Sequence, residues 1–310
     1  MPTIPVIIDC DPGHDDAIAL LLALASPELD LLGVTTVSGN QTLEKTTANA
    51  IRVLDLVGRA DVEVAAGADR PLLRDRYVAA YVHGETGLDG PSLPPPSRPP
   101  HGLHAVDFIA ERARQADGPV TLIPIGPLTN VALFLARYPD EAHRIGRIVL
   151  MGGAIAEGNV TPAAEFNVWA DPEAAERVFR SGIDLTMIGL DVTHEALMTR
   201  AMAEHLRERG RVGRFVAELY DFFSIYHRET YGSEDSPIHD AVAVAHVLRD
   251  DLVETAHRHV AVDTQSELCR GRTVVDLWRR TGHEPNAHVG VAIDRDAFFA
   301  LLLKRLATLE

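Results

Sequence analysis

Four aspartates, Asp9, Asp11, Asp15 and Asp16, fall within eight residues directly after the apolar run Val6-Ile7-Ile8. Carboxylates crowded into one turn repel each other and are costly to desolvate together. A bound cation relieves that cost because it favours the ionised form of each ligand. Oxygen ligands suit a hard ion, Ca²⁺ or Mg²⁺, better than zinc. Capping the following helix uses one acidic residue at its positive end, so four exceed that need. An EF-hand is excluded by spacing, since Gly13 comes too early in the loop and no bidentate glutamate follows at the twelfth position.

The elements that carry this turn alternate apolar runs with helical patterns over the first two-thirds of the chain, the signature of a parallel sheet with crossover helices. Strands are expected at Pro5–Asp9, Leu29–Val37, Val62–Ala65, Val120–Ile125, Ile148–Met151 and Ile183–Leu190, with helices over Asp15–Ala25 and Thr42–Val57. Beyond these, Arg200–Arg209, Arg214–Arg228 and Ile238–Leu248 read as helices. Val260–Val262, Thr273–Leu277 and His288–Ile293 read as late strands before a closing helix, Arg295–Leu306. The expected class is α/β: an open, mostly parallel, Rossmann-like sheet with helices on both faces and additional C-terminal helices and strands. No linker divides the chain, so residues 1–310 read as a single domain. Residues 71–103 hold too many prolines for regular structure, yet contain His83-Gly84-Glu85-Thr86-Gly87-Leu88-Asp89. A long loop in a compact domain is usually functional or disordered, and the His83 end reads as a ligand-contacting segment.

Ligands of open parallel sheets bind outside the carboxyl ends of the strands. The polar residues just past those ends are Asp9, Asp11, Asp15 and Asp16; Ser38-Gly39-Asn40; Gly126-Pro127-Leu128-Thr129-Asn130; Asn159, Glu165 and Asn167; and His239-Asp240. Each has a plainer use. Asn40 serves as a cap, and for Asn130 a plain cap is the preferred reading. His239-Asp240 suits a helix start with an exposed histidine. Glu165 and Asn167 straddle Phe166, so in an extended segment both face one side. Together the set describes an acid- and amide-rich pocket suited to a polyhydroxylated ligand, and it lacks the lysines and arginines that phosphate needs.

Bulk properties exclude other classes. A net charge of −16 argues against a nucleic-acid polymer as partner. No apolar run reaches the roughly 18 residues of a membrane span. Cys10 and Cys269 are too few for a disulfide framework, and Met1-Pro2-Thr3 leads straight into a strand, so a cytoplasmic protein is expected.

Carried by these segments end to end, with Asp9-Cys10-Asp11-Pro12-Gly13-His14-Asp15-Asp16 and Asn159-Val160-Thr161-Pro162-Ala163-Ala164-Glu165-Phe166-Asn167 the most specific, the chain resembles the inosine-uridine-preferring nucleoside hydrolases. The resemblance is to their histidine-bearing, non-specific or pyrimidine-preferring type. It implies hydrolysis of the N-glycosidic bond of ribonucleosides to ribose and free base. It implies Ca²⁺ held by Asp11, Asp16, Asp240 and the carbonyl of Ile125, with Asp15 as the general base for the attacking water. Asn40, Met151, Asn159, Glu165 and Asn167 would bind ribose. His83, Phe166 and His239 would surround the base, with His239 the acid for the leaving group and Asp9 a support for the turn. Tyr226, Arg228 and Tyr231 are further substrate-binding candidates, in a segment (about 224–237) that, like 71–103, reads as an active-site loop. A homodimer or homotetramer is the implied assembly.

The chain departs from many relatives where Ala241-Val242 replaces a Pro-Cys pair after His239-Asp240, a change in helix packing more than in chemistry. A haloacid-dehalogenase-like phosphatase fits Asp9 and Asp11 superficially but lacks the downstream lysine and leaves Glu165-Phe166-Asn167 unexplained. The remaining alternatives are the same fold acting on another N-ribosyl compound, and a calcium-dependent nucleoside- or ribose-binding protein without turnover.

Overall fold

The computed structural model describes residues 3–309. Met1 and Pro2, on which the expectation for the N-terminus rests, lie outside the described residues, as does Glu310. Among the described residues twelve strands form, in chain order: β1 (Ile4–Cys10), β2 (Leu29–Thr36), β3 (Val64–Ala66), β4 (Val120–Pro124), β5 (Ile145–Met151), β6 (Asp184–Ile188), β7 (Leu197–Met198), β8 (Ser236–Pro237), β9 (Val253–Arg258), β10 (Val260–Val262), β11 (Thr273–Val275) and β12 (Ala287–Ile293). Eight of them make one sheet in the order β3-β2-β1-β4-β5-β6-β12-β9, parallel throughout except for β9, which runs antiparallel to β12. The expected class therefore holds: a doubly wound α/β domain whose strand order reverses between β1 and β4. That reversal opens the crevice in which such sheets bind ligands.

Side-chain alternation along β1 feeds two cores. Val6, Ile8 and Cys10 join the larger cluster on one face, and Ile7 joins the cluster on the other. On the first face the helix His14–Leu24 is buried along nearly its whole length and packs on a second apolar helix, His239–Leu248. Two helices apolar all round can bury their surface only against the sheet and each other. This packing brings their N-terminal acids together.

The differences from expectation are local. The helix expected to begin at Arg214 spans Gly210–Tyr231, because Gly213 is no breaker: a side chain there would strike the carbonyl of Leu206. The segment about 224–237, expected as a loop, is thus helical to Tyr231, where Gly232 ends it in the left-handed conformation at φ 71°. Within 71–103 a short helix, Ala80–His83, forms. Val260–Val262 and Thr273–Val275 pair only with each other as an antiparallel ribbon. The edge strand β9 is unexpected from the sequence, since Glu254, His257 and Arg258 break its apolar pattern, as suits a sheet edge. Among the described residues no helix is long and apolar enough to cross a membrane.

Candidate active site

The tip of β1 is tied down before it turns. Asp9 Oδ1 accepts from Thr35 Oγ1 at 2.5 Å and from Asn130 Nδ2 at 2.8 Å, and burial lifts this carboxyl to about 7. Asn130 also donates to the carbonyl of Thr36 at 2.9 Å and accepts from the amide of Ala68 at 2.9 Å. The expectation of a plain cap at Asn130 is therefore corrected. It lies inside the helix Thr129–Arg137, fully buried, and laces together β1, the end of β2 and the loop after β3.

The turn beyond it gathers the other carboxylates. Asp11 Oδ2 accepts from the Asn40 amide at 2.6 Å, while its buried Oδ1 has no partner among the described residues. Asp16 Oδ1 accepts from the Asp11 amide at 3.1 Å, and Oδ2 accepts from the Gly13 amide at 2.9 Å and from Asn40 Nδ2 at 3.0 Å. Helix packing delivers Asp240, so that carboxylate oxygens of Asp15, Asp16 and Asp240 all lie within 4.8 Å of one another. All four acids are buried. Burial, reinforced by neighbouring aspartates at Asp11, Asp15 and Asp240, raises every one of them; Asp15 reaches about 8. Gly39 and Gly126 flank Asp11 so closely that a β-carbon at either would run into its carboxylate. The sequence-predicted acids thus converge at the β1–β4 switch point.

A polar wall rises from this floor. Glu165 is the N-cap of a short helix, Phe166–Ala170: Oε1 accepts from the Asn167 amide at 2.8 Å, and Oε2 from the amides of Gly153 at 2.9 Å and Val168 at 3.1 Å. Burial nonetheless lifts Glu165 to about 7, against the pull of those three N–H groups. The extended segment expected here is replaced by this capped turn, yet Glu165, Phe166 and Asn167 still share one cavity wall. Asn167 Nδ2 donates to the carbonyls of Ile125 at 2.9 Å and Met151 at 3.2 Å, and Asn159 Oδ1 accepts from the Phe166 amide at 2.9 Å. The loop leading to Asn159 is held by Asp191, whose carboxylate accepts from the amides of Ile155 at 2.6 Å and Ala156 at 3.0 Å.

The opposite wall is aromatic. It comprises His83, Phe223, Tyr226, His227 and Tyr231, with His194 and His239 beside them, around a cavity of about 280 Å³. His239 Nδ1 lies 2.7 Å from the Thr193 hydroxyl. Burial lowers His14 to about 4 and holds His83 and His239 well below the usual histidine range. Of the expected site residues, Asp11 and Asp16 are fully buried and do not line the cavity, and Arg228 stays off its wall: on this helix Phe223, His227 and Tyr231 recur at intervals of four and face inward, and the residue after His227 points away. Its guanidinium sits 3.9 Å from Glu234. Sequence reasoning misses His14, Thr193, Asp191, Phe223 and His227 as site residues; the 223/227/231 spacing is the signal that could find two of them.

A carboxylate floor at the switch point of a doubly wound sheet, one amide-rich wall and one aromatic wall define a pocket for a polyhydroxylated ligand bearing a flat ring. A sequence model of the inosine-uridine preferring nucleoside hydrolases matches residues 6–300, and the chain belongs to this family. It is an enzyme that hydrolyses N-glycosyl bonds of ribonucleosides. It is 54% identical over 305 residues to a pyrimidine-specific ribonucleoside hydrolase RihA of Shewanella sp. (strain ANA-3), covering 98% of this chain and 96% of the relative. The enzyme of the same description from Citrobacter koseri is 52% identical over 306 residues, 98% of each chain. Among solved structures, a purine-preferring ribonucleoside hydrolase from Gardnerella vaginalis superposes with a TM-score of 0.93 at 35% identity over 98% of both chains, and the plant nucleoside hydrolase PpNRh1 with 0.92 at 34% over 99% of both.

Proposed function

We propose that the chain is a Ca²⁺-dependent ribonucleoside hydrolase that prefers pyrimidine nucleosides. The observation that carries the metal is the convergence of Asp11, Asp15, Asp16 and Asp240, buried, mutually repelling, and with Asp11 Oδ1 lacking a partner among the described residues. Such a set is stable only when protonated or neutralised, and an all-oxygen cage fits a hard cation. Asp11, Asp16, Asp240 and the Ile125 carbonyl are the residues that would hold it. When bound, the ion favours the ionised carboxylates and acidifies water.

The remaining roles belong to the protein's own groups. Asp15 takes the proton of the water that attacks the anomeric carbon. Asn40, Met151, Asn159, Glu165 and Asn167 bind and orient the ribose, and their oxygens face the positive charge that develops on the sugar in an oxocarbenium-like transition state. His83, Phe166 and the aromatic wall with Tyr226 and Tyr231 enclose the base and exclude water. His239, held at Nδ1 by Thr193, delivers a proton to the departing base; burial favours its neutral form, and the negative charge that develops on the base is what favours the protonated ring. The pyrimidine preference rests on the relatives at 52–54% identity. Action in the cytoplasm as a homodimer or homotetramer completes the proposal; Leu268, Val274 and Trp278, exposed on and around the β10–β11 ribbon, are candidates for subunit contact.

The test is ribose release from uridine, cytidine, inosine and adenosine, with and without a chelator. Chelator-sensitive release, fastest from uridine and cytidine, is expected. Release indifferent to chelator rejects the metal assignment, and a folded protein inactive on all four nucleosides moves the substrate to another N-riboside.

A further inference from the structure

Behind His83 lies a second imidazole that the reaction above does not use. His14 and His83 are 1% and 6% exposed, and their ring centroids are 5.3 Å apart. His14 Nδ1 lies 3.0 Å from His83 Nδ1, and His14 Nε2 lies 2.8 Å from the main-chain carbonyl of Asp89. Phe222 and Phe223 stack on the His14 ring at 5.3 Å each. Asp89 is itself fixed: its carboxylate accepts from the amides of Glu85 at 2.9 Å and Thr86 at 3.0 Å, which aims its carbonyl at the ring.

These contacts determine where the hydrogens sit. A carbonyl oxygen only accepts, so His14 Nε2 carries a hydrogen. In a neutral imidazole the other nitrogen, Nδ1, then holds a lone pair. A separation of 3.0 Å between two ring nitrogens needs a hydrogen between them, and only His83 Nδ1 can supply it. The His14 main-chain amide also points its N–H at that same nitrogen, at 3.3 Å, a longer contact than the 3.0 Å between the two rings. It would have an acceptor there only if His14 carried hydrogens on both nitrogens, placing a buried imidazolium at the positive end of a helix. An unpaired first-turn amide is the lesser cost. His83 Nε2 is left with its lone pair. Among the described residues it makes no hydrogen bond to the protein, and His83 lines the cavity.

We infer that His14 is a positioning residue that locks His83 in its Nδ1–H tautomer, so that the cavity presents a hydrogen-bond acceptor, His83 Nε2, to a donor on the nucleoside. The inference rests on the reading of this cavity as the nucleoside site. The shared ligand chemistry is an N–H or O–H: the ring N3–H of uracil or the 5′-hydroxyl of the ribose. It also gives a use to the segment His83-Gly84-Glu85-Thr86-Gly87-Leu88-Asp89, which closes the relay from Asp89 through His14 back to His83.

The experiment is ¹⁵N NMR of histidine-labelled, Ca²⁺-loaded, substrate-free enzyme at the pH of the activity assay. His83 should show a protonated Nδ1 and a pyridine-type Nε2, and His14 the reverse; assignments come from the signals lost in His14→Phe and His83→Gln. Kinetically, His14→Phe should lower kcat/KM for uridine about tenfold, the worth of one hydrogen bond. His14→Asn, whose Oδ1 replaces the accepting Nδ1, should stay within about threefold of wild type on the same reasoning. On 3-methyluridine or on 5′-deoxyuridine, whichever lacks the relevant donor, the penalty of His14→Phe should vanish. A hydrogen on His83 Nε2, a doubly protonated His14, equal losses in the Phe and Asn variants, or a penalty that persists on both analogues overturns the inference. If the wild type hydrolyses no nucleoside, the functional reading fails while the wild-type spectrum still decides the tautomer.

Discussion

Asn130 Nδ2 donates to Asp9 Oδ1 across 121 residues of chain at 2.8 Å. This bond joins the start of the helix after β4 to the tip of β1, so the two strands that flank the switch point are registered by side chains as well as by the backbone ladder. Replacing Asn130 by alanine leaves the Ala68 amide without its partner and reduces Asp9 Oδ1 to the Thr35 hydroxyl alone, in a fully buried site. The expected loss is about 1–3 kcal/mol of unfolding free energy, read as a lower denaturant midpoint at unchanged m. Asn130→Asp should lose more, because it sets a second carboxyl against Asp9. Equal stability of both variants and wild type would show that the lacing is idle.

The carboxylate cluster predicts a coupling between metal and pH. Burial raises Asp9 to about 7 and Asp15 to about 8 in the metal-free fold. A carboxyl whose folded pKa is raised binds its proton more tightly folded than unfolded. The metal-free protein therefore loses stability as pH climbs from about 4 through those folded values, and regains it as pH falls. A cation that neutralises the cluster offsets this penalty. The Tm difference between Ca²⁺-loaded and chelated enzyme should be small near about pH 5 and largest near about pH 8, where a hundredfold excess of Ca²⁺ over Kd adds about 2.7 kcal/mol. Asp11→Asn should shrink that difference. A difference independent of pH would place the ion away from these acids.

Asp15→Asn should lower kcat by about a hundredfold to ten-thousandfold, the usual worth of a general base. Inhibition by free ribose should be preserved, since the amide occupies the same volume and the ribose contacts lie on other residues. A variant with wild-type kcat would remove Asp15 from the chemistry.

The parts of this site that the chain betrays in advance are those whose neighbours are near in sequence. Asp11, Asp15 and Asp16 stand at a strand end and a helix start, so their spacing alone puts them together. Asp240 and Asn167 meet partners distant in sequence, and only the family resemblance of their segments places them in the site. His14 sits in the same eight-residue run, yet its meaning depends on His83 and Asp89, 69 and 75 residues away, which only packing brings together. Phe223 and His227 fall within the helix expected over Arg214–Arg228, but only its continuation to Tyr231 sets Phe223, His227 and Tyr231 on one face. Thr193 carries no local sign of its partnership with His239, since a buried threonine beside a turn is ordinary packing until the partner is seen.

His239 offers the sharpest test of how the base departs. Its ring is half-buried, held at Nδ1 by Thr193, and lies on the cavity wall beside His194 at 5.5 Å between centroids. A group that protonates the leaving base matters in proportion to how much the base needs the proton. His239→Ala should therefore lower kcat for uridine by about a hundredfold or more while leaving p-nitrophenyl riboside, whose leaving group departs as an anion unaided, within a few-fold of wild type. Thr193→Val, which keeps shape but removes the hydroxyl, should follow the same pattern more weakly, because it frees the ring without removing it. Equal losses on both substrates would mean that His239 shapes the pocket and leaves the proton to another group, and His227, at the same wall, would be the next residue to change.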